Sequence, residues 1–194
     1  MENGQSIGVV VDKLKAGMIA NNASVSFSDY PHGRCVESVR MGKVDFALFV
    51  DQQDRLAMLD EPLADWDLAV VSHTKIDAEQ DFQAEQFNKV IIARDYEYPP
   101  ELMRKLKTFN KSLIRKSYFF TKDEEITALF ELLKRGRADA LVVDQVWANY
   151  MKNKLNLDIH VSDWTLYSEP QYVGYNESLD SKKLSLMNQI LLAN

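Results

Sequence analysis

Asp144 directly follows the apolar run Ala140–Val143 and precedes a helical pattern. A carboxylate there can cap the helix or face a cationic group of a ligand, and the two roles are compatible. Asp51 follows the similar run Val44–Val50, one position out of register with Asp144. Arg55 lies in the segment after that first run. Its guanidinium can grip a planar carboxylate with two directed hydrogen bonds, or pair within the chain with Asp54 or Asp60. Tyr30, Trp66, Tyr96 and Tyr98 stand near strand ends or in loops, where an aromatic face serves an apolar or cationic ligand, or simply packs. This is chemistry of non-covalent recognition. The chain carries no GxSxG, HExxH, GxxxxGK[ST] or GxGxxG motif. Cys35 stands at helical spacing with Val36 and Val39 and reads as a core thiol. His32, His73 and His160 are far apart in the chain and form no ligand motif. No catalytic residue, metal site or cofactor is expected, although a dispersed pair of carboxylates has no spacing by which to recognise it.

The elements that must hold these residues fit a chain of 194 residues, enough for one large domain or two small lobes. A net charge of −6 argues against general nucleic-acid binding, which needs a basic surface. One cysteine excludes an internal disulfide. No apolar run is long enough to insert in a membrane. The start, MENGQSIGVVVDK, lacks the basic opening and long apolar stretch of a secretory signal.

Along the chain, residues 7–20 fit a strand by Ile7, Val9 and Val11, and a helix by Leu14, Met18 and Ile19; helix is preferred. Residues 23–27 read as a short strand with Val25 and Phe27 inward. A helix follows from Pro31 to about Met41, then a strand over Val44–Val50, covered on both faces as in a parallel sheet. Residues 51–66 read as loop or short helix, and 67–72 as a strand. The polar stretch 75–86 reads as a surface connection where one lobe passes to the next. Strands at 89–93, 114–118, 140–143, 157–161 and 171–175 alternate with helices starting near Pro99, after a Thr121–Glu124 capping box, at Asp144, and at Ser181. Tyr118, Phe119 and Phe120 read as core.

One pattern occurs twice. VRMGKVDFALFVD, from Val39, and LKRGRADALVVDQ, from Leu133, share a glycine, a following base, an aspartate two places later, and an apolar run. Gly42 and Gly136 are suited to stop a helix in a left-handed conformation, with Lys43 and Arg137 at the negative helix end. Asp45 and Asp139 fit turns before the strands. Two similar α/β lobes follow from this repetition.

These segments, in this order, resemble the type II periplasmic solute-binding proteins, in particular the branch that binds amino acids. The resemblance lies in Asn3–Gly8 with Asp12, in Gly42–Asp45, in Arg55 and Pro62, in Gly136–Ala140 with Asp144, and in Gln171–Tyr175. It implies a two-lobed α/β fold with mixed sheets flanked by helices. One lobe would comprise residues 1–73 plus 180–194, the other 74–179. It implies a small polar solute bound between lobes without chemistry, for uptake or sensing, with a membrane permease or sensor as partner. Arg55 and Asp144 would hold opposite ends of a zwitterion, with Tyr30, Trp66 and Tyr96 as its wall. Val50–Asp54 is shorter and more acidic than the family's segment, so Asp51, Asp54 and Asp95 point to a cationic solute instead. An enzyme or enzyme-associated module on the same fold is the alternative. The resemblance implies a periplasmic location, the signal and first strand lying outside this chain; a complete chain would be cytoplasmic.

Overall fold

The computed structural model describes residues 8–94, 98–116 and 123–193. In chain order its elements are α1 (Val9–Ala20), α2 (His32–Arg40), β1 (Phe46–Val50), β2 (Ala57–Met58), β3 (Ala64–Ser72), α3 (Glu79–Gln83), β4 (Lys89–Ala93), α4 (Pro100–Thr108), β5 (Ser112–Lys116), α5 (Asp123–Lys134), β6 (Ala140–Asp144), α6 (Gln145–Lys154), β7 (His160–Val161), β8 (Tyr167–Tyr175) and α7 (Ser181–Leu192). They form two compact units. The first holds the described residues up to Asp65 together with those from Glu169 on; the second spans Trp66–Ser168.

The chain therefore crosses between units inside strands β3 and β8, not after residue 73 and before residue 180. The stretch 75–86 is no crossing: it contains α3, and its Ile76 and Phe82 are buried in the second unit's core. A polar average hid two apolar anchors, Ile76 before α3 and Phe82 within it.

The first unit has a small sheet with β8 in the middle. On one side β1 runs antiparallel to it, Phe46 opposite Tyr175; on the other β2 does the same, Ala57 opposite Tyr175. Among the described residues β1 is thus an antiparallel edge strand, not the interior parallel strand its apolar run suggested. An unbroken apolar run records burial on both faces, which two helical layers supply here whatever the strand's direction. Leu14 and Met18 of α1 and Met187, Ile190 and Leu191 of α7 cover one face, with Leu59, Leu63 and Val173. Val36 and Val39 of α2 cover the other, with Ala47 and Val50.

Residues 23–30 show how pattern and ladder come apart. Ala23, Val25 and Phe27 pack against the α1/α7 core and the serines between them are exposed, as the period of two required. Yet no strand forms. Among the described residues, the backbone groups of Ser24–Tyr30 make no hydrogen bond. Extended geometry follows from side-chain alternation; a strand also needs a partner edge.

The second unit is a three-layer sandwich. Its sheet runs β5–β4–β6–β3, with β4 parallel to both β5 and β6, β3 antiparallel to β6, and β7 against the end of β3. Phe82, Leu102 and Leu106 of α3 and α4 bury against Leu68, Val70, Val90 and Ile92 on one face. On the other, Ile126, Leu129, Phe130 and Leu133 of α5 and Ala148 and Met151 of α6 bury against Val71, Ile91, Leu141 and Val143. The first two residues of the Thr121–Glu124 box, and Tyr118–Phe120, lie outside the described residues.

The duplicated pattern produces the same local structure in each unit. Gly42 has φ +66° and Gly136 has φ +64°. Gly42 N–H donates to Val39 O and Lys43 N–H to Ser38 O; Gly136 N–H donates to Leu133 O and Arg137 N–H to Leu132 O. Each is the same helix-ending pair of bonds, closed by a left-handed glycine. Both aspartates are structural: Asp45 pairs with Lys183 at 2.8 Å, and Asp139 Oδ2 accepts from Lys89 N–H at 2.7 Å.

Candidate functional site

Asp144 ends β6 and begins α6. Its Oδ1 accepts the Trp147 N–H at 2.7 Å, so it caps the helix as its position suggested. Burial pushes the carboxyl above its ordinary range, and the neighbouring Asp67 carboxylate adds to this, against the Trp147 and Val146 amides that favour the charge. A carboxylate in this state gains when a cation neutralises it.

The antiparallel register puts Leu68 of β3 directly opposite Asp144. Trp66, two residues earlier on β3, therefore shares the face of the sheet on which Asp144 lies. Its indole stacks on Tyr98, with ring centroids 6.2 Å apart and planes inclined by 21°. Tyr98 Oη accepts from Ala93 N–H at 3.0 Å and donates to Val142 O at 3.4 Å. Ala93 ends β4, and β4 and β6 point the same way. Asp144, Trp66 and Tyr98 are thus gathered at the C-terminal ends of the second unit's parallel strands, while Asp67, between Trp66 and Leu68 on β3, alternates to the other face and acts on Asp144 as a nearby charge. Ligands of open α/β sheets bind at such ends. A partly buried carboxylate beside two aromatic rings suits a cationic group.

Sequence reasoning named Asp144 and Trp66 but not their company. Tyr98 was legible only as one of two tyrosines after a strand; the other, Tyr96, lies outside the described residues. Asp67 reaches Asp144 only through antiparallel pairing, which no local pattern records.

In the first unit the expected residues take other parts. Asp51 is occupied in a capping box around the single 3-10 turn Gln52–Asp54: its Oδ1 accepts Gln53 N–H at 2.6 Å, and Asp54 Oδ2 accepts Asp51 N–H at 3.0 Å. Asp54 also holds His32 Nε2 at 2.7 Å, tying this turn to the start of α2. Tyr30, two residues before His32, lies under the Arg34 guanidinium at 4.8 Å. Arg55 is exposed and left-handed, with φ 54°, and makes no ion pair with Asp54 or Asp60. Its neighbour Leu56 packs over Gly174, where a Cβ would come within 3.0 Å of Leu56 Cδ1. Gly174 faces Ala47 in the ladder. The missing side chain at Gly174 thus leaves room for Leu56 to lie over β8.

One further residue was missed. Phe49 has φ +60° at the bulge where the β1–β8 register shifts between Leu48 and Val50. The extra residue turns Val50 onto the same face as Ala47, where it is fully buried, and leaves the Phe49 ring 44% exposed. Glycine commonly fills this bulge position, and another residue there costs about 1–2 kcal/mol.

Among the described residues, no His, Cys, Asp and Glu are grouped to hold a metal, and no helix is long and apolar enough to cross a membrane.

The architecture is the type II periplasmic-binding-protein fold. An ancestral arginine-binding protein bound to glutamine superposes with a TM-score of 0.68 at 20% identity, covering 98% of this chain and 83% of that one. The arginine-bound form of truncated ArgBP from T. maritima gives 0.65 at 20% identity, over 98% and 87%. An ancestral amino acid-binding protein described as a precursor of cyclohexadienyl dehydratase gives 0.65 at 20% identity, over 98% and 81%. No protein-family model and no curated protein matches the sequence.

Proposed function

We propose that this chain binds a small polar solute bearing a cationic group, without chemistry, as the receptor component of uptake or sensing outside the cytoplasmic membrane. The observation that carries the reading is the cluster at the C-terminal ends of β4 and β6: the half-buried Asp144 carboxylate, with the charge of Asp67 acting on it, and the stacked Trp66 and Tyr98 rings. The carboxylate supplies charge and the rings supply a face. Solved structures of the same fold bind arginine and glutamine, which supports an amino-acid-like solute. A membrane permease or sensor is the partner proposed with it.

A thermal-shift screen with basic amino acids, neutral amino acids, polyamines and organic acids tests this. A solute at a hundred times its Kd stabilises the folded chain by about 2.7 kcal/mol, several degrees of melting temperature. Basic amino acids or polyamines are expected to give that shift. Absence of a shift from every class rejects the reading.

A further inference from the structure

We propose that the second unit holds a separate site for a small free oxyanion, phosphate or sulfate, in the cavity lined by the end of β3, β7 and α6. This cavity lies at the opposite end of the sheet from Asp144. β3 runs antiparallel to β6, so Leu68 faces Asp144 while Val71 faces Leu141, and Ser72 comes one residue further on. The cavity has a volume of about 200 Å³. Two of its lining residues, Ser72 and Ser162, are buried and held in place by their own hydroxyls. Ser72 Oγ donates to Thr74 O, and Ser162 Oγ donates to Trp164 O at 2.7 Å and accepts from Val70 N–H at 3.1 Å.

The remaining polar lining is mostly basic, and it comes from three places in the chain. Lys75 follows β3, His160 lies on β7 opposite Ser72, and Lys152 belongs to α6. Asp163 is the carboxylate among the lining residues, and Lys75 is already paired with Asp77. Lys152 differs from Lys75. It is half-buried, and among the described residues it makes no ion pair or hydrogen bond, whereas Lys154, two places on, pairs with Asp123 at 2.9 Å. An ammonium that gives up water without gaining an anion is left uncompensated. The backbone adds donors to the same wall. Among the described residues the N–H groups of Lys75, Ile76 and Asp163 make no hydrogen bond, and Ile76 is buried. Unpaired N–H groups beside a cavity call for an acceptor from outside the chain. An oxyanion carries several acceptor oxygens and full charge, so it meets ammonium, imidazole and amide donors together.

The test is calorimetric titration of the full chain, in a chloride buffer, with inorganic phosphate, sulfate and glycerol 3-phosphate. The wild type is compared with Lys152→Gln, His160→Gln and Lys154→Gln, each checked by its melting curve. Saturable binding of one phosphate or sulfate per chain is expected, weakened about ten-fold by Lys152→Gln and about three-fold by His160→Gln, and unchanged by Lys154→Gln. Equal losses in Lys152→Gln and Lys154→Gln overturn the assignment, because diffuse surface charge and not this cavity then attracts the anion. A wild-type chain that binds neither phosphate nor sulfate overturns it outright. Tighter binding of glycerol 3-phosphate than of inorganic phosphate overturns the free anion as occupant, in favour of a phosphate ester. None of these outcomes bears on the cation site at Asp144.

Discussion

Replacing Asp144 by asparagine separates two roles that the wild-type side chain combines. The cap needs only an oxygen at 2.7 Å from Trp147 N, and asparagine caps helices about as well as aspartate. Alanine supplies no oxygen and is expected to cost about 1 kcal/mol, which in a chain of this size lowers the melting temperature by about 2–4 °C. Charge works in the opposite direction. The folded-state pKa of Asp144 lies above its ordinary value because of burial and Asp67. The folded chain thus favours the protonated acid, and that stabilisation is present at low pH and lost as pH rises through the folded-state pKa. At pH 7 the ionised group opposes folding. Asp144→Asn should therefore melt at or above the wild-type temperature, and the pH dependence just above the ordinary aspartate range should flatten. A cationic solute, by contrast, should lose about 2 kcal/mol, roughly thirty-fold in Kd. The assays are melting curves from pH 4 to 8 and titration calorimetry at pH 7, with Asp144→Ala beside Asp144→Asn. If asparagine lowers the melting temperature as much as alanine does, the charge and not the oxygen holds α6. If it binds cations as tightly as the wild type, Asp144 is a cap and nothing more.

Three further outcomes are expected. Phe49→Gly should raise the melting temperature by a few degrees, because relief of the left-handed conformation outweighs the packing of a ring that is already 44% exposed; a lower temperature would show the ring to be structurally necessary. Lys111 is buried, with Nζ donating to Ala84 O at 3.2 Å and lying 4.7 Å from the Phe82 ring centroid, and burial holds its ammonium below the ordinary lysine pKa. Charged Lys111 thus opposes folding, and stability should rise as pH climbs through the window below 10.5; Lys111→Met should abolish that rise in alkaline melting curves, and an unchanged slope would assign it to another group. In hydrogen exchange, the amides of Ser24–Ser28 should exchange nearly unprotected while Val90–Ile92 are protected to the limit of global unfolding; slow exchange at Ser24–Ser28 would contradict their lack of partners.

The helix ends at Gly42 and Gly136, the strands that follow them and the cap at Asp144 were legible in the sequence, because each is made by groups within a few residues of one another. A glycine after an apolar helical stripe closes the same two hydrogen bonds wherever it occurs, and an aspartate before a helix meets the amides of the first turn. Resemblance to a fold family likewise rested on the order of such local pieces. The tertiary structure alone decided the rest. Burial on both faces is the same for a parallel and an antiparallel strand, so the run Phe46–Val50 could not reveal that β1 is an antiparallel edge. Alternation in residues 23–30 set their faces but could not provide an edge to pair with. The charge of Asp67 came near Asp144, Tyr98 came between β4 and β6, and Leu56 was laid over Gly174 by pairings between residues far apart in the chain. Those pairings depend on register and on where a side chain is missing, and neither is written in the spacing of the residues they bring together.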